Sequence, residues 1–235
     1  MPHDAPFDYS GTELAALSAA VNYREWILSR FERYLGSSIA EVGAGIGSFS
    51  KLLLRTSPQR LYAFEPSRNN YPLLVENVRH DQRAILINDA FKPHHVPDGV
   101  ESIVYLNVLE HIPQDLVELK TANEALRPGG RLIVFSPALS WLYSDFDREV
   151  GHFRRYTRLG IVALARDAGF RVLLAEYFDI AGVLPWYLSF VLLKNRPTAR
   201  TVALYDKLVV PPMRVVENLL PPPLGKNVVL VAVKI

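Results

Sequence analysis

Hydrophobic and polar positions in the first part of the chain follow two different periods. Apolar residues recur at roughly helical spacing near the start, which predicts an amphipathic N-terminal helix over residues 11–35. An apolar run from Ser38 to Val42 predicts a strand, and Phe49 to Arg55 has the composition of a helix. Three glycines spaced G-x-G-x-G lie between the two. The chain therefore begins as helix, strand, glycine turn and helix.

Strand-like and helix-like stretches continue to alternate along most of the chain. The apolar runs predict strands at Leu61–Phe64, Ala84–Ile87, Ser102–Leu106, Arg131–Phe135, Phe170–Tyr177 and Asn227–Lys234. The stretches between them predict helices over residues 69–80, 116–126 and 159–168. Because the strands are apolar on both faces, this alternation is typical of an α/β fold, with a parallel sheet, right-handed crossovers and helices on both faces.

Two segments depart from the alternation. Residues 136–157 show little periodicity, and since long irregular connections in compact domains are usually functional, they predict a lid. Residues 178–225 are apolar and rich in proline, which predicts an insertion built of short helical pieces. The sequence contains no internal repeat. We therefore expect one domain over residues 1–235, with the lid and the insertion as its additions.

Composition and charge limit the classes of partner and compartment. The 26 Lys and Arg against 24 Asp and Glu give a net charge of +2, which offers no general reason to expect a nucleic acid partner. The absence of cysteine excludes disulfides and cysteine nucleophiles, and it suits a reducing compartment. Neither a secretory signal nor an apolar run of about 20 residues occurs. We expect a cytoplasmic protein, either soluble or associated with a membrane surface.

The glycine turn carries the first functional signal. Glycines at the carboxyl end of a strand let the backbone approach a ligand closely, and the next helix offers unpaired N–H groups, so a nucleotide-like cofactor is expected. The dinucleotide fingerprint G-x-G-x-x-G would need glycine at position 48, where this chain has Ser48. Glu41 precedes the turn, Glu65 ends the second strand and Asp89 follows the third. A carboxylate placed like Glu65 can accept hydrogen bonds from both ribose hydroxyls.

Five motifs occur in order on the expected elements. They are Glu41–Gly47, Phe64–Ser67, Asn88–Ala90, Asn107–Ile112 and Leu126–Leu132. Together they resemble the class I S-adenosylmethionine-dependent methyltransferases, over about residues 40–135. The resemblance implies a Rossmann-like, mostly parallel, seven-stranded sheet whose last strand runs antiparallel between its neighbours. It also implies S-adenosylmethionine as the cofactor.

The resemblance assigns a set of cofactor-binding residues by position. They are Glu41, Gly43, Gly45, Gly47, Glu65, Pro66, Asp89, Ala90 and Asn107. Within this set, Glu41 would orient the cofactor's ammonium group and Glu65 would bind the ribose. Asp89 with Ala90 would contact the adenine, and the backbone of Asn107 would face the methionyl end. Asn107 stands where metal-dependent catechol enzymes place an acidic ligand, so no metal is expected.

Two histidines are candidates for a catalytic base. A methyl group on a sulfonium is already activated, so the protein mainly has to align the acceptor, although a hydroxyl acceptor also benefits from a base of near-neutral pKa. His111 follows the fourth strand and His152 lies in the lid. A purely structural role, in which Glu110 and His111 brace the turn, is an equally good interpretation of His111.

Three lid residues next to His152 are candidates for binding the acceptor. Arg154, Arg155 and Tyr156 could hold a carboxylate or phosphate through forked hydrogen bonds. Alternatively, the arginines pair with acidic residues of the lid and hold it shut. The segments Asn22–Trp26 and 151–157 resemble a bacterial subgroup of methyltransferases that acts on small molecules or lipids.

Aromatic residues outside the lid extend the candidate acceptor site. Tyr23 and Trp26 would be walls of the site or parts of the core, and Trp186 belongs to an uncharged stretch from Ile180 to Leu193. That stretch is too short to span a bilayer as a helix. The insertion 178–225 is therefore interpreted in three ways: as a pocket for a hydrophobic acceptor, as a homodimer surface, or as a peripheral membrane contact with a basic flank.

The sequence thus predicts a metal-independent methyltransferase that acts on a small and hydrophobic or lipid-like acceptor, at oxygen. Two alternatives from other classes remain open. A nicotinamide-dependent reductase would share the first strand, turn and helix, but the third fingerprint glycine is missing and no Tyr-x-x-x-Lys pair is evident. A non-catalytic protein of the same fold would bind the cofactor without transferring its methyl group. An RNA or protein acceptor is not expected, because the sequence outside the insertion has no basic stripe with interleaved aromatic residues.

Overall fold

A computed structural model describes residues 8–9, 20–195 and 198–235, and its centre is a seven-stranded sheet. The strands are β1 Ser38–Val42, β2 Arg60–Phe64, β3 Ala84–Ile87, β4 Val100–Leu106, β5 Leu126–Pro137, β6 Phe170–Phe178 and β7 Asn227–Lys234. Their order is β3-β2-β1-β4-β5-β7-β6. Strands β1 to β5 pair in parallel, and β7 pairs antiparallel with both β5 and β6. The expected fold class and the antiparallel last strand are confirmed.

Helices cover both faces of this sheet. The α-helices are α1 Val21–Phe31, α2 Ser50–Arg55, α3 Tyr71–Val78, α4 Asp115–Ala125, α5 Asp145–Glu149, α6 Arg158–Asp167, α7 Val183–Trp186, α8 Ala199–Leu208 and α9 Val210–Leu219. Successive residues of β4 point to opposite faces, so Ile103 and Tyr105 pack with α4 and α6, and Val104 packs with α1 and α2. Each face of the sheet therefore has its own hydrophobic core.

The ends of several elements differ from the sequence prediction. The described part of the N-terminal helix begins at Val21 and continues as a 3₁₀ turn to Tyr34, whereas positions 11–19 of the predicted helix lie outside the described residues. Strand β5 begins at Leu126, before its apolar run, because Leu126 pairs with Val100 ahead of a register shift. The first strand, the third strand and the last strand have the predicted bounds.

The lid segment (136–157) and the insertion (178–225) contain regular structure. The lid segment has a 3₁₀ turn at Ser140–Leu142 and the short helix α5. In the insertion, α7 continues as a π-helix over Tyr187–Leu192, and α8 and α9 follow. The prediction of several short helices rather than one long helix is confirmed. Within the described ranges, none of the helices has both the length and the apolar character needed to cross a membrane.

Candidate active site

The glycine turn lies at the carboxyl end of β1. Gly43, Gly45 and Gly47 all have positive φ angles, of 70°, 58° and 81°. A Cβ atom on Gly43 would lie 2.6 Å from a methyl carbon of Val108, which is closer than atoms can pack. Gly43 and Gly45 line the large cavity of the molecule, and Gly47 packs against α3 instead. The turn therefore presents its bare backbone to that cavity at two of its three glycines.

Glu65 closes the turn from the end of β2. One carboxylate oxygen accepts a hydrogen bond from the backbone N–H of Gly45 at 2.7 Å. The other accepts from the backbone N–H of Ser67 at 3.0 Å and from its hydroxyl. Burial raises the pKa of Glu65, although these hydrogen bonds act in the opposite direction. Each carboxylate oxygen can accept more than one hydrogen bond, so Glu65 retains capacity for a ligand hydroxyl.

Glu41 is a second buried carboxylate in the wall of the same cavity. It lies within β1, is 2% exposed, and accepts a hydrogen bond from the Ser50 hydroxyl at 2.5 Å. Burial and the nearby charge of Glu65 together raise the pKa of Glu41 to about 8, although the hydrogen bond from Ser50 acts to lower it. A cation placed in the cavity would remove much of this penalty. The position of Glu41 therefore fits an ammonium group.

The remaining predicted cofactor residues divide into two groups. Pro66, Ala90 and Asn107 line the cavity, and Asn107 has a φ angle of 54° and donates its backbone N–H to Phe135 O at 2.8 Å. Asp89 does not line the cavity. Its carboxylate lies 3.0 Å from Lys92 Nζ and 3.5 Å from His95 Nε2. In this structure Asp89 pairs with Lys92, and its role as an adenine contact stays a prediction.

Asp147 organises the lid segment from within helix α5. Its carboxylate is fully buried and accepts hydrogen bonds from His152 Nδ1 at 2.9 Å, from Arg155 Nε at 2.9 Å and from the Ser144 hydroxyl at 2.8 Å. Burial raises the pKa of Asp147, but the hydrogen bond from His152 and the charge of Arg155 outweigh it and bring the pKa to about 2. Asp147 is therefore an anion that orients both His152 and Arg155.

His111 and His152 meet at the wall of the cavity. Their ring centroids are 4.6 Å apart in an edge-to-face arrangement. Burial and the neighbouring His152 lower the pKa of His111 to about 3, so His111 is neutral at physiological pH. Behind them, fully buried Glu110 has one oxygen 3.8 Å from His152 Nε2, and the other oxygen accepts from the Ser136 hydroxyl at 3.0 Å. Burial raises the pKa of Glu110 to about 6.

These three side chains are also the one group in the described part of the chain that could hold a metal ion. The candidate ligand atoms of Glu110, His111 and His152 all lie within 4.8 Å of one another. Zinc needs its nitrogen and oxygen ligands about 2.0–2.2 Å from the metal, so the group would have to contract to bind it. Independence from metal therefore stays a prediction.

Arg154 and Tyr156 do not reach the cavity. Arg154 pairs with Asp115 at 2.5 Å and donates to the carbonyl oxygens of Ile112 and Pro113. The Tyr156 hydroxyl donates to the same carboxylate of Asp115 at 2.9 Å. Both side chains fasten the lid segment to Asp115 at the start of α4, a partner outside the lid that the sequence did not indicate. In this structure their polar groups are engaged within the protein, and a role in binding the acceptor stays a prediction.

Arg155 lines the cavity but is bound in the same way. Its guanidinium forms two hydrogen bonds with Asp147, donates to Ala138 O at 3.3 Å, and lies 4.7 Å from the ring centroid of Trp186. The pairing of a lid arginine with Asp147, expected as an alternative, is what the structure contains. Arg155 can thus contribute positive potential to the cavity, but its hydrogen bonds are used within the lid.

The predicted aromatic walls also differ in position. Tyr23 and Trp186 line the cavity, and Trp186 Nε1 donates to Leu142 O at 3.1 Å. Trp26 is fully buried, with its ring centroid 4.1 Å from that of Phe178. The interpretation of Trp26 as a wall of the acceptor site is therefore corrected: it packs in the core, on the inner side of α1.

Sequence reasoning missed one polar group at the inner end of the insertion. Asp179 follows β6 with a φ angle of 64° and is fully buried. It accepts hydrogen bonds from the hydroxyls of Tyr23 and Tyr205 and lies 3.1 Å from Lys226 Nζ. Its partners lie far away in sequence, so no local motif indicates them. A lone acidic residue directly after an apolar strand was the available signal.

The residues that line the cavity come from three parts of the molecule and enclose about 1440 Å³. The glycine turn, Glu41 and Glu65 line one portion, His111 and His152 another, and the aromatic side chains of Phe146, Trp186, Phe190 and Tyr205 a third. Most ligand pockets have volumes of roughly 300–1,000 Å³. The cavity therefore has space for a cofactor and a second molecule beside it.

Comparison with known families agrees with this arrangement. A family model described as a methyltransferase domain matches residues 19–175. That range includes strands β1 to β5, the first residues of β6, the glycine turn and the whole lid segment. No curated protein matches the sequence significantly.

Solved structures share the fold at low sequence identity. A chain of the complex between the Haloferax volcanii methyltransferase activator Trm112 and its methyltransferase partner is 13% identical, with a TM-score of 0.62 and 94% of each chain covered. The [4+2]-cyclase SpnF is 13% identical, with a TM-score of 0.61 over 100% of this chain and 88% of that one. A Haemonchus contortus phosphoethanolamine N-methyltransferase bound to S-adenosylhomocysteine is 14% identical, with a TM-score of 0.60 over 95% and 57%. These likenesses concern the fold alone.

Proposed function

Because this chain belongs to the methyltransferase domain family and is a class I S-adenosylmethionine-dependent enzyme, we propose that it methylates an oxygen of a small, hydrophobic acceptor. The observation that supports this proposal most strongly is the composition of the cavity. It joins the glycine turn and two carboxylates to an apolar aromatic region, with two histidines in its wall. A nicotinamide-dependent reductase is no longer an alternative, since the family match excludes it.

The cofactor portion of the cavity is built by the turn and its carboxylates. S-adenosylmethionine supplies a methyl group that is already activated on a sulfonium. In this proposal Glu65 accepts hydrogen bonds from ribose hydroxyls, and Glu41 holds the ammonium group. The bare backbone of Gly43 and Gly45 permits close approach of the methionyl portion. Each role rests on a buried or side-chain-free position in the wall of the cavity.

The acceptor portion is mainly apolar. Trp186 and Phe190 pack with ring centroids 4.3 Å apart, and Phe146 lies 5.5 Å from Phe190, so the lid segment and the insertion form one aromatic wall. Apolar and aromatic linings of this kind bind apolar ligands and exclude water. Alignment of acceptor and donor in such a site can contribute about 7–11 kcal/mol to the reaction. We therefore infer an acceptor with a flat or extended apolar body.

His152 is the proposed base. Asp147 holds its Nδ1, which leaves Nε2 as the nitrogen that can accept a proton. When the acceptor hydroxyl takes up the methyl group and S-adenosylhomocysteine is left, Nε2 of His152 would take the proton that the hydroxyl loses. His111 is neutral, and its ring packs edge-to-face against the His152 ring at the wall of the cavity. No metal takes part in this scheme.

The proposal is tested by methyl transfer to a panel of apolar phenols, hydroxy acids, amines and long-chain alcohols, with products identified by mass spectrometry. We expect methyl ethers from apolar hydroxyl compounds. The His152→Ala variant should react about 100-fold more slowly, in line with the loss of a general base, while its affinity for S-adenosylhomocysteine stays unchanged. His80→Ala, at an exposed histidine outside the cavity, serves as the matched control. Products methylated at nitrogen or carbon, or full activity of His152→Ala, would refute the assignment.

A further inference from the structure

The outer surface of the insertion carries an unusual share of exposed apolar side chains. Among the described residues, 19 large apolar side chains are exposed, and 11 of them lie within residues 183–224. Single exposed apolar residues are normal on a protein surface, but a concentration of them marks an interaction site. This segment is under a fifth of the chain, so the excess is local.

The exposed apolar residues follow helical faces. In α7 and the π-helix after it, Leu184, Leu188 and Leu192 recur at intervals of four residues and are 62%, 44% and 55% exposed. Helix α9 exposes Val215, Val216 and Leu219, with Leu219 81% exposed. In a water-exposed helix, these positions should be polar. The outer faces of both helices therefore have the character of buried faces.

Helix α8 adds positive charge beside exposed leucines. Leu204 and Leu208 are 59% and 60% exposed, and Arg200 and Lys207 are exposed at positions of the same helical face, four and three residues from Leu204. The opposite face of α8 contains Tyr205, which lines the cavity. The helix thus separates a cavity side from an outer side that is apolar and cationic.

The exposed charges of the insertion's own described residues have one sign. Within residues 183–195 and 198–224, the acidic residues are Asp206 and Glu217, which are 5% and 2% exposed. Asp206 accepts hydrogen bonds from the backbone N–H groups of Asn22 and Tyr23, and Glu217 accepts from those of Asp179 and Ile180. Both acidic side chains are therefore used inside the protein.

The exposed cations belong to the outer surface. They are Lys194, Arg200 and Lys207, of which Lys194 also pairs with Asp145 at 3.0 Å. Exposed leucines with interspersed lysine and arginine are the composition of helices that lie in the interface of an anionic membrane. A symmetric contact between two copies of this surface would bring cations of both copies together. The charge pattern thus favours lipid over a second copy.

We propose that the outer faces of α7, α8 and α9, together with the π-helix, dock onto an anionic lipid bilayer surface. The helices lie in the plane of the interface, with their leucines and valines among the lipid chains and Arg200 and Lys207 near the headgroups. The inner sides of α7, the π-helix and α8 line the cavity, with Trp186, Phe190 and Tyr205 among the lining residues. This surface does not depend on which acceptor the enzyme methylates.

The test is flotation of the full chain with vesicles of phosphatidylcholine alone or of phosphatidylcholine mixed with phosphatidylglycerol. We expect binding to the anionic vesicles and at least about tenfold weaker binding to the neutral ones, since each cation near an anionic surface contributes to binding. Arg200→Glu with Lys207→Glu should remove this preference. Leu188→Glu with Leu219→Glu should weaken binding to both kinds of vesicle. Leu159→Glu, at a leucine 77% exposed on α6, is the matched control and should bind like the wild type.

Two results would overturn the proposal. The first is that the wild-type protein floats with neither kind of vesicle. The second is a dimer in light scattering that dissociates in the Leu188→Glu, Leu219→Glu variant, which would assign the surface to a second copy. Affinity for S-adenosylhomocysteine reports whether each variant is folded, because the cofactor portion of the cavity lies away from the substituted side chains. Methyl transfer is not the readout, so an error in the proposed acceptor would not affect the outcome.

Discussion

Asp147 Oδ1 lies 2.9 Å from Nδ1 of His152, and the same carboxylate forms two hydrogen bonds with the buried guanidinium of Arg155. One anion therefore controls both the orientation of the proposed base and the folding of the lid segment around it. With Nδ1–H donating to Asp147, the basic nitrogen of His152 is Nε2. An activity defect caused by Asp147 should thus come with a stability defect.

Asp147→Asn tests this coupling. The amide keeps the shape of the side chain but cannot neutralise Arg155, so we expect a loss of about 3–5 kcal/mol in the free energy of unfolding. Turnover should fall by about 100-fold because the tautomer of His152 is no longer fixed. Chemical denaturation and steady-state kinetics measure the two effects. Asp145→Asn, an exposed residue of the same helix, should change neither quantity appreciably. An unchanged turnover in Asp147→Asn would remove His152 from the role of base.

Glu65→Ala should weaken cofactor binding without changing the fold. Hydrogen bonds to a charged group contribute about 1.5–3 kcal/mol, so the affinity for S-adenosylhomocysteine should fall by roughly 10- to 150-fold in calorimetry. Glu101→Ala is the matched control, because the Glu101 carboxylate also accepts a backbone hydrogen bond, from Ser37, but lies outside the cavity. Equal affinities in wild type and Glu65→Ala would show that Glu65 only closes the glycine turn.

Gly43→Ala separates backbone strain from steric contact. Gly43 and Gly129 have similar φ angles, 70° and 73°, so alanine at either position incurs a similar backbone cost of roughly 1–3 kcal/mol. A Cβ atom at position 43 would collide with Val108, whereas at position 129 it would meet no atom within 4 Å. We expect Gly43→Ala to lose cofactor binding and Gly129→Ala to retain it. Similar cofactor affinities in the two variants would mean that the close approach at Gly43 has no role in binding.

Whether methyl transfer needs a metal ion can be tested at Glu110, His111 and His152. One nitrogen of His152 is taken by Asp147, and the candidate ligand atoms are spread over as much as 4.8 Å. We expect methyl transfer to be unchanged after dialysis against a chelator, and to be unchanged when Mg²⁺ or Zn²⁺ is then added. Activity that is lost on chelation and restored by one of these ions, but not in a Glu110→Gln variant, would instead identify the three residues as a metal site.

The sequence predicted the sheet well because strands and glycine turns are local features. The bounds of β1, β3 and β7 follow from apolar runs alone, and the glycine turn is visible as a spacing. The antiparallel position of β7 came from family resemblance, since hydrophobic periodicity carries no information on strand direction. The ends of the helices predicted over 116–126 and 159–168 agree within one residue, whereas β5 begins five residues before its apolar run because Leu126 pairs with Val100 of another strand.

The lid segment shows where sequence reasoning reaches its limit. Arg154, Arg155 and Tyr156 are adjacent in sequence and look like one anion-binding group. In the structure they separate, since Arg155 turns inward to Asp147 while Arg154 and Tyr156 bind Asp115 in another element. Which charge pairs with which depends on contacts that are distant in sequence. The same limit explains why Asp179 and its tyrosine partners were missed.

Glu41 gives cofactor binding a pH dependence. Its pKa is raised from an ordinary 4.5 to about 8 by burial, so the folded, ligand-free protein keeps this proton at neutral pH. A bound ammonium group favours the carboxylate, so binding releases the proton, and affinity for S-adenosylhomocysteine should rise as the pH increases from about 6 to about 8. Calorimetry in buffers of different ionisation enthalpy measures the released proton directly.

Glu41→Gln should bind more weakly than the wild type at pH 8 and release no proton, although the amino group of the ligand still titrates in both proteins. The raised pKa of Glu41 also makes the stability of the folded protein depend on pH. Stability falls as the pH rises, whereas cofactor affinity increases. Between pH 4.5 and about 8 the unfolded chain loses this proton and the folded protein keeps it, so the contribution of Glu41 to stability is complete below pH 4.5 and declines as the pH rises to about 8. In denaturation without ligand, Glu41→Gln should therefore gain stability relative to wild type as the pH increases through this range. A stability difference between the two proteins that does not vary with pH would place the carboxyl of Glu41 in a more solvated environment and remove it as the ammonium partner.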